Sequence, residues 1–174
     1  MKDYEVEVKV PCDDLEAVGR LAESLGADDR GERTQEDIYF SHPCKDFGQS
    51  DEALRLRYSD GRWRITYKGP KVDQLTKTRE EIEMDIDPGI ENVLLKLGFR
   101  RNMVIRKNRR ILLLDNVELS LDRVEGLGDF VELEYKGGSV ERGKSEILDM
   151  MQKLGLKGSE RRSYLELLLE SQGI

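Results

Sequence analysis

Glu5, Glu7 and Lys9 stand at alternate positions of the stretch YEVEVKV (4–10), with Tyr4, Val6, Val8 and Val10 between them. A period of two makes this a β-strand with one charged face. If that face looks into a closed cavity, two carboxylates and an ammonium are the start of a site; if it looks at bulk water, they say nothing about function. The alternation recurs along the chain. Arg55 and Arg57 oppose Leu54 and Leu56, and Arg64, Thr66 and Lys68 oppose Trp63, Ile65 and Tyr67. Arg79, Glu81, Glu83 and Asp85 oppose Ile82, Met84 and Ile86. Lys107 and Arg109 share one face of the next stretch, with Arg106 and Arg110 on the other. Glu118, Ser120 and Asp122 follow, then Glu132 and Glu134 opposite Val131, Leu133 and Tyr135.

Taken singly, each stretch fits an antiparallel sheet with one face on helices and the other in water. Solvated faces, however, usually mix charge with Thr, Ser, Gln and Asn. Here long charged residues fill position after position and sort by strand, with carboxylate pairs on the first, fifth and last strands and basic residues between. Closing the sheet would remove its exposed edges. It would also gather roughly six basic groups and several carboxylates inside a barrel of about eight strands, which has room for one small ligand. Lone buried ions are too costly to persist, so such an interior calls for a highly charged ligand and cations. A triphosphate would satisfy the Arg and Lys groups through charge-assisted hydrogen bonds. Mg²⁺ or Mn²⁺, which prefer oxygen ligands, would bridge the carboxylates to phosphate oxygens.

Composition narrows the chemistry further. His42 is the only histidine, and the two cysteines, Cys12 and Cys44, form no metal-ligand spacing. A zinc site or a histidine-activated nucleophile is therefore hard to build. A net charge of −7 argues against a general nucleic-acid footprint, though not against a local basic pocket. Mean hydropathy is −0.63. No apolar run approaches the roughly 20 residues that span a bilayer. The N-terminus lacks the apolar stretch of a secretory signal, so a cytoplasmic location with no membrane partner is the expectation.

The elements that must position these residues are legible in outline. Four helices are expected: one after Pro11 ending at Gly26, with Leu15, Val18, Leu21, Ala22 and Leu25 on one face; one N-capped by Asp87 and ending at Gly98; one over SEILDMMQKLG; and a short one over RSYLELLLESQG. Strand signals cover 4–10, 34–40, 53–59, 62–68, 78–86, 103–107, 110–114, 117–123 and 130–136. Asp60-Gly61 and Asp115-Asn116 mark hairpins. The pattern gives one α+β domain over residues 1–174: an antiparallel eight-stranded β-barrel with helices packed outside. The polar stretch 68–78 reads as a loop. YEVEVKVPCD and EEIEMDIDPG each precede a helix ending in Leu-Gly, which suggests two halves of one pseudo-symmetric sheet. Tyr39, Trp63 and Tyr164 suit the core as well as a site, and Lys71 and Lys77 suit either a lid or a solvated loop.

The charged residues also carry a resemblance. Glu5-Val6-Glu7-Val8-Lys9 resembles the Glu-x-Glu-x-Lys signature of the CYTH superfamily, the triphosphate tunnel metalloenzymes. QEDIYF (35–40), ALRLR (53–57), ITYKGPK (65–71), REEIE (79–83), IRKNR (105–109), LDRVEGLGDFVELE (121–134) and RSYLELL (162–168) continue it in order over nearly the whole chain. TYKGPK, LDRVEGLGDFVELE and RSYLELL look most like the class IV adenylyl cyclase branch. The resemblance implies that Glu5 and Glu7 hold Mg²⁺ or Mn²⁺ with one or both of Glu132 and Glu134. It implies that Lys9, Arg55, Arg57, Lys68, Lys107 and Arg109 grip a triphosphate, with Arg79, Glu81, Glu83 and Asp122 completing the lining. The implied activity is conversion of ATP to cyclic AMP and pyrophosphate. The rival readings are a triphosphatase acting on tripolyphosphate, thiamine triphosphate or a nucleoside triphosphate, and a non-catalytic polyphosphate or nucleotide binder. A homodimer is plausible from the same resemblance.

Overall fold

The alternating stretches become one antiparallel sheet in the computed structural model, which describes residues 4–71 and 79–173, without the side chains of Tyr4 and Glu5. In chain order the elements are β1 (Tyr4–Glu5), β2 (Glu7–Pro11), α1 (Leu15–Ser24), β3 (Asp28–Ser41), β4 (Ala53–Ser59), β5 (Arg62–Lys68), β6 (Arg79–Ile86), α2 (Ile90–Lys96), β7 (Arg100–Leu114), β8 (Val117–Val124), β9 (Gly128–Tyr135), α3 (Val140–Lys153) and α4 (Tyr164–Ser171). The sheet order is β1-β6-β5-β4-β3-β7-β8-β9-β2. Only Val6 separates β1 from β2, and its carbonyl accepts from the Tyr135 N–H at 3.0 Å. One N-terminal run therefore pairs with β6 at its start and with β9 along its remainder. Counted as one strand, it bridges the two ends of the curled sheet and makes an eight-stranded barrel.

The period-two pattern decides which side of each strand meets the helices. Outward residues of β2, β7, β8 and β9 form a core with Leu15, Val18 and Ala22 of α1, Ile147 and Met150 of α3, and Leu154 at the C-cap of α3. Ile38, Phe40, Leu54 and Leu56 pack under Leu94 of α2. α4 departs from the expectation of helices packed only outside. Its Tyr164 and Leu168 meet the inward residues Tyr39, Ile105, Val124 and Phe130, so it stoppers one end of the barrel interior. Leu21 and Leu25, expected on the buried face of α1, remain exposed. No described helix is long and apolar enough to cross a membrane.

Element boundaries differ from expectation in several places, and α3 begins at Val140, five residues before the expected Ser145. β3 begins at Asp28 rather than residue 34, because its first half pairs with β7 beyond the apolar part. The segments 103–107 and 110–114 are one strand, since Asn108 simply takes its place in the ladder opposite Thr34 and Arg123. α2 is capped by Gly89, not Asp87. The Asp87 carboxylate accepts instead from the Gly89 N–H at 2.7 Å, bracing a tight turn before the helix. Both predicted hairpins form, with Asp60 and Gly61 at φ 51° and 75° as a two-residue turn between twisted strands requires. Residues 72–78, with Lys77 of the expected loop, lie outside the described residues.

The internal echo is visible in the topology. β1/β2–α1–β3–β4–β5 and β6–α2–β7–β8–β9 are the same succession, and exchanging them leaves the cyclic strand order unchanged. Leu133, fully buried between the sheet and its helices, tests the packing. Leu133→Ala is expected to lower the unfolding free energy by about 3 kcal/mol. Met84→Ala, at a side chain 54% exposed, is expected to cost less than about 0.5 kcal/mol. Denaturant titration of both variants checks the pair.

Candidate active site

Closing the sheet turns the charged faces inward around a cavity of about 730 Å³. Arg55 and Arg57 (β4), Lys68 (β5), Arg79, Glu81 and Glu83 (β6), Lys107 and Arg109 (β7), Glu132 and Glu134 (β9) and Glu7 and Lys9 (β2) all line it. Asp122 (β8) lies beneath the lining with no exposed surface. Thirteen of the fourteen residues singled out in the sequence are thus brought together. The fourteenth is Glu5, whose backbone pairs with Arg79 and whose side chain is outside the described part.

Several of the buried cations have a carboxylate at hand. Asp37, 2% exposed, receives Arg57 Nε and Nη2 at 2.6 Å each and Arg55 Nη1 at 3.5 Å. Burial pushes the Asp37 carboxyl up, but the charges of Arg57 and Arg55 and the hydrogen bonds of Arg57 hold it well below the usual carboxylate range. Asp122 does the same two strands along the sheet, accepting from Lys107 Nζ at 2.9 Å and from Arg109 Nε and Nη2 at 2.6 Å each. Arg109 also reaches Glu132. Burial, with the Arg109 charge adding to it, pushes the Lys107 ammonium down to about 8 against the pull of Asp122 and Glu132. Lys68 pairs with Glu81 at 2.7 Å, and Arg64 with Glu83 at 3.1 Å. Lys9 is held by the Arg162 carbonyl and lies over the Tyr164 ring.

The carboxylates collect on the opposite wall. Glu7, Glu134 and Glu118 occupy one cross-strand row over β2, β9 and β8. Neighbours in such a row stand roughly 5 Å apart at Cβ and repel unless a cation lies between them. Lys136 supplies that charge, with Nζ 2.7 Å from Glu134 and 3.5 Å from Glu118. Among the described residues no three metal-binding side chains converge on one point. The all-oxygen donor set nevertheless suits a hard divalent ion, with Lys136 and Arg109 neutralising the carboxylates that such an ion would take. Arg79 Nε and Gln35 Oε1 are among the buried polar atoms that lack a hydrogen-bond partner among the described residues, and both side chains line the cavity. An anion bound there would satisfy the first.

Sequence reasoning missed Asp37 and Gln35 although both lie in QEDIYF. The same alternation would have found them, because Gln35, Asp37 and Tyr39 share the inward face. Glu118, Arg33 and Lys136 were also left unassigned and line the cavity. At the stoppered end the loop after β3 adds His42, Pro43 and Phe47, opposite Leu165 and Leu169 of α4. His42 packs edge-on against Phe99 at 5.0 Å between ring centroids, and Trp63 belongs to the outer core.

Comparison with known proteins agrees with this fold. The CYTH domain model matches residues 3–164. A Methanocaldococcus jannaschii protein named "Putative adenylate cyclase" is 42% identical over 170 residues, covering 94% of this chain and 97% of its own. Adenylate cyclase CyaB of Aeromonas hydrophila is 27% identical over 97% of this chain and 90% of its own. A solved Pyrococcus horikoshii structure superposes with a TM-score of 0.87 at 36% identity, over 96% of this chain and 99% of that one.

Two outcomes follow from the charge pairing. Asp37→Ala leaves Arg55 and Arg57 buried beside a missing counter-charge and is expected to cost about 3–5 kcal/mol of stability, read by denaturant titration. Lys107 titrates near 8, so an anion in the cavity raises its pKa and takes up protons on binding. Tripolyphosphate affinity is expected to fall as pH rises through about 8. Calorimetry in buffers of different ionisation enthalpy reads that uptake.

Proposed function

The chain belongs to the CYTH family, and on that premise we propose that it is a metal-dependent enzyme that converts ATP to cyclic AMP and pyrophosphate. The observation that carries the reading is one cavity with guanidinium and ammonium groups on one wall and a carboxylate row on the other. A triphosphate laid between the walls meets Arg55, Arg57, Lys68, Lys107 and Arg109 through charge-assisted hydrogen bonds. These groups are already held by Asp37, Asp122 and Glu81, so little reorganisation accompanies charge development. Glu7, Glu132 and Glu134, with Glu5 and Glu118, would hold Mg²⁺ or Mn²⁺. Such an ion neutralises phosphate oxygens and lowers the pKa of the attacking hydroxyl.

Cyclisation needs a nucleoside beside the phosphates, with its 3′-hydroxyl in line with the α-phosphorus. A cavity of about 730 Å³ exceeds what a bare tripolyphosphate fills. His42, Pro43 and Phe47 and the facing Leu165 and Leu169 offer the less polar surface that a base would take. The 3′-hydroxyl loses its proton to solvent as its oxygen bonds to the α-phosphorus and the bond from that phosphorus to the α,β-bridging oxygen breaks. Pyrophosphate then leaves against the basic wall.

Incubation with ATP, tripolyphosphate and thiamine triphosphate under Mg²⁺ or Mn²⁺ tests this. The expected products are cyclic AMP and pyrophosphate from ATP. Glu7→Gln is expected to lower turnover at least about 100-fold with the thermal midpoint little changed. Orthophosphate from tripolyphosphate without cyclic AMP from ATP would replace the cyclase reading with a hydrolase one. Binding with no turnover would favour a non-catalytic module.

A further inference from the structure

Among the described residues, Tyr164 is the aromatic side chain that touches several of the buried charges at once. Its ring lies under two ammonium groups, with Lys9 Nζ 4.0 Å and Lys107 Nζ 4.9 Å from the centroid. Its hydroxyl donates to Asp122 Oδ2 at 2.9 Å, the oxygen that also accepts from Lys107 and from Arg109 Nη2. Burial, with Glu132 and Asp122 adding to it, pushes the Tyr164 hydroxyl well up, so it stays a donor. Two like charges sharing one site repel, and the negative face of an aromatic ring offsets part of that cost. Lys9 is 1% exposed, so water does little to screen it.

The ring is delivered by α4 and by the segment before it. The Glu160 N–H donates to the Lys9 carbonyl at 2.7 Å, and the Lys9 ammonium donates back to the Arg162 carbonyl. A capping box between Ser163 and Glu166 starts the helix at the position that brings Tyr164 into the barrel. Phe130 meets the ring edge-on at 5.2 Å, and Leu168 anchors the next turn.

We propose that Tyr164 is a positioning residue of the cavity: its ring, far more than its hydroxyl, sets Lys9 and Lys107 in the arrangement that grips a polyphosphate, so that seating of α4 sets affinity. This rests on reading the cavity as a triphosphate site.

Calorimetric titration with tripolyphosphate tests it on the full chain, comparing the unsubstituted protein with Tyr164→Phe, Tyr164→Leu, Lys9→Met and the Tyr164→Leu/Lys9→Met pair. Tyr164→Leu is expected to weaken binding about ten-fold or more. Tyr164→Phe, which keeps the ring, is expected to restore affinity to within about three-fold of the original. In the Lys9→Met background the Leu substitution is expected to cost about three-fold or less, because its partner is already gone. Tyr164→Met, which fills the space without a ring, is measured alongside in case the Leu variant does not fold. Losses that simply multiply, or a Phe variant as weak as the ring-free ones, would overturn the proposal. If the unsubstituted chain binds no tripolyphosphate, the functional reading falls, and positioning is judged by NMR of the lysine Cε resonances. Those of Lys9 and Lys107 must shift in the ring-free variant and hold in Tyr164→Phe. Equal shifts in both would overturn it.

Discussion

The barrel interior holds more charge than it can leave unpaired. Lys9, Arg55, Lys68, Arg79, Lys107 and Arg109 are each less than a tenth exposed, and so are Glu7, Asp37 and Asp122. Removing such groups from water costs several kcal/mol apiece unless a partner lies within hydrogen-bond distance. Much else in the structure answers that requirement. Asp37 is shared between two arginines, and Asp122 between a lysine, an arginine and a tyrosine. The outer face of the sheet, free of this demand, is packed with aliphatic residues that fix the strands carrying the charges.

The duplicated topology shows how one architecture came to have two unlike walls. Laying β6 over the N-terminal run, with Glu83 on Glu7, carries Arg55 onto Glu118, Arg57 onto Ser120, Arg64 onto Glu132 and Thr66 onto Glu134. Basic or neutral residues in the first unit therefore stand where the second has mostly carboxylates. The counter-ions differ too, since Asp37 corresponds to Ile111 and Asp122 to Ser59. Symmetry supplies the closed container and its breaking supplies the polarity. A cavity basic throughout would hold phosphate with no place for a cation. One with facing acidic and basic walls holds both, which is what phosphoryl and nucleotidyl transfer ask of a protein.

Much of this was legible in the sequence because strands write their two faces at period two. The inward Arg55, Arg57, Lys68, Lys107, Arg109, Glu132 and Glu134 follow from alternation, and their convergence follows from the cost of burying each alone. What stayed hidden was tertiary. Asp37 sits in a strand whose outward positions include Glu36, so its polar face does not stand out until β4 lies beside it. Asn108 looks like a break between two strands, yet the ladder on both sides carries β7 through it. Leu21 and Leu25 have helical spacing toward a core that does not extend over them. The role of α4 was the least readable. Its amphipathic pattern predicts packing against something apolar, and only the fold reveals that the apolar surface is the barrel's own interior end.

A crystal structure of the chain with Mn²⁺ and a non-hydrolysable ATP analogue, located by anomalous scattering, tests the central claim most directly. The account predicts phosphates between Arg55, Arg57, Lys107 and Arg109 inside the barrel, with manganese between them and the Glu7, Glu132 and Glu134 wall. Phosphates bound outside the barrel, or manganese away from those carboxylates, would contradict it.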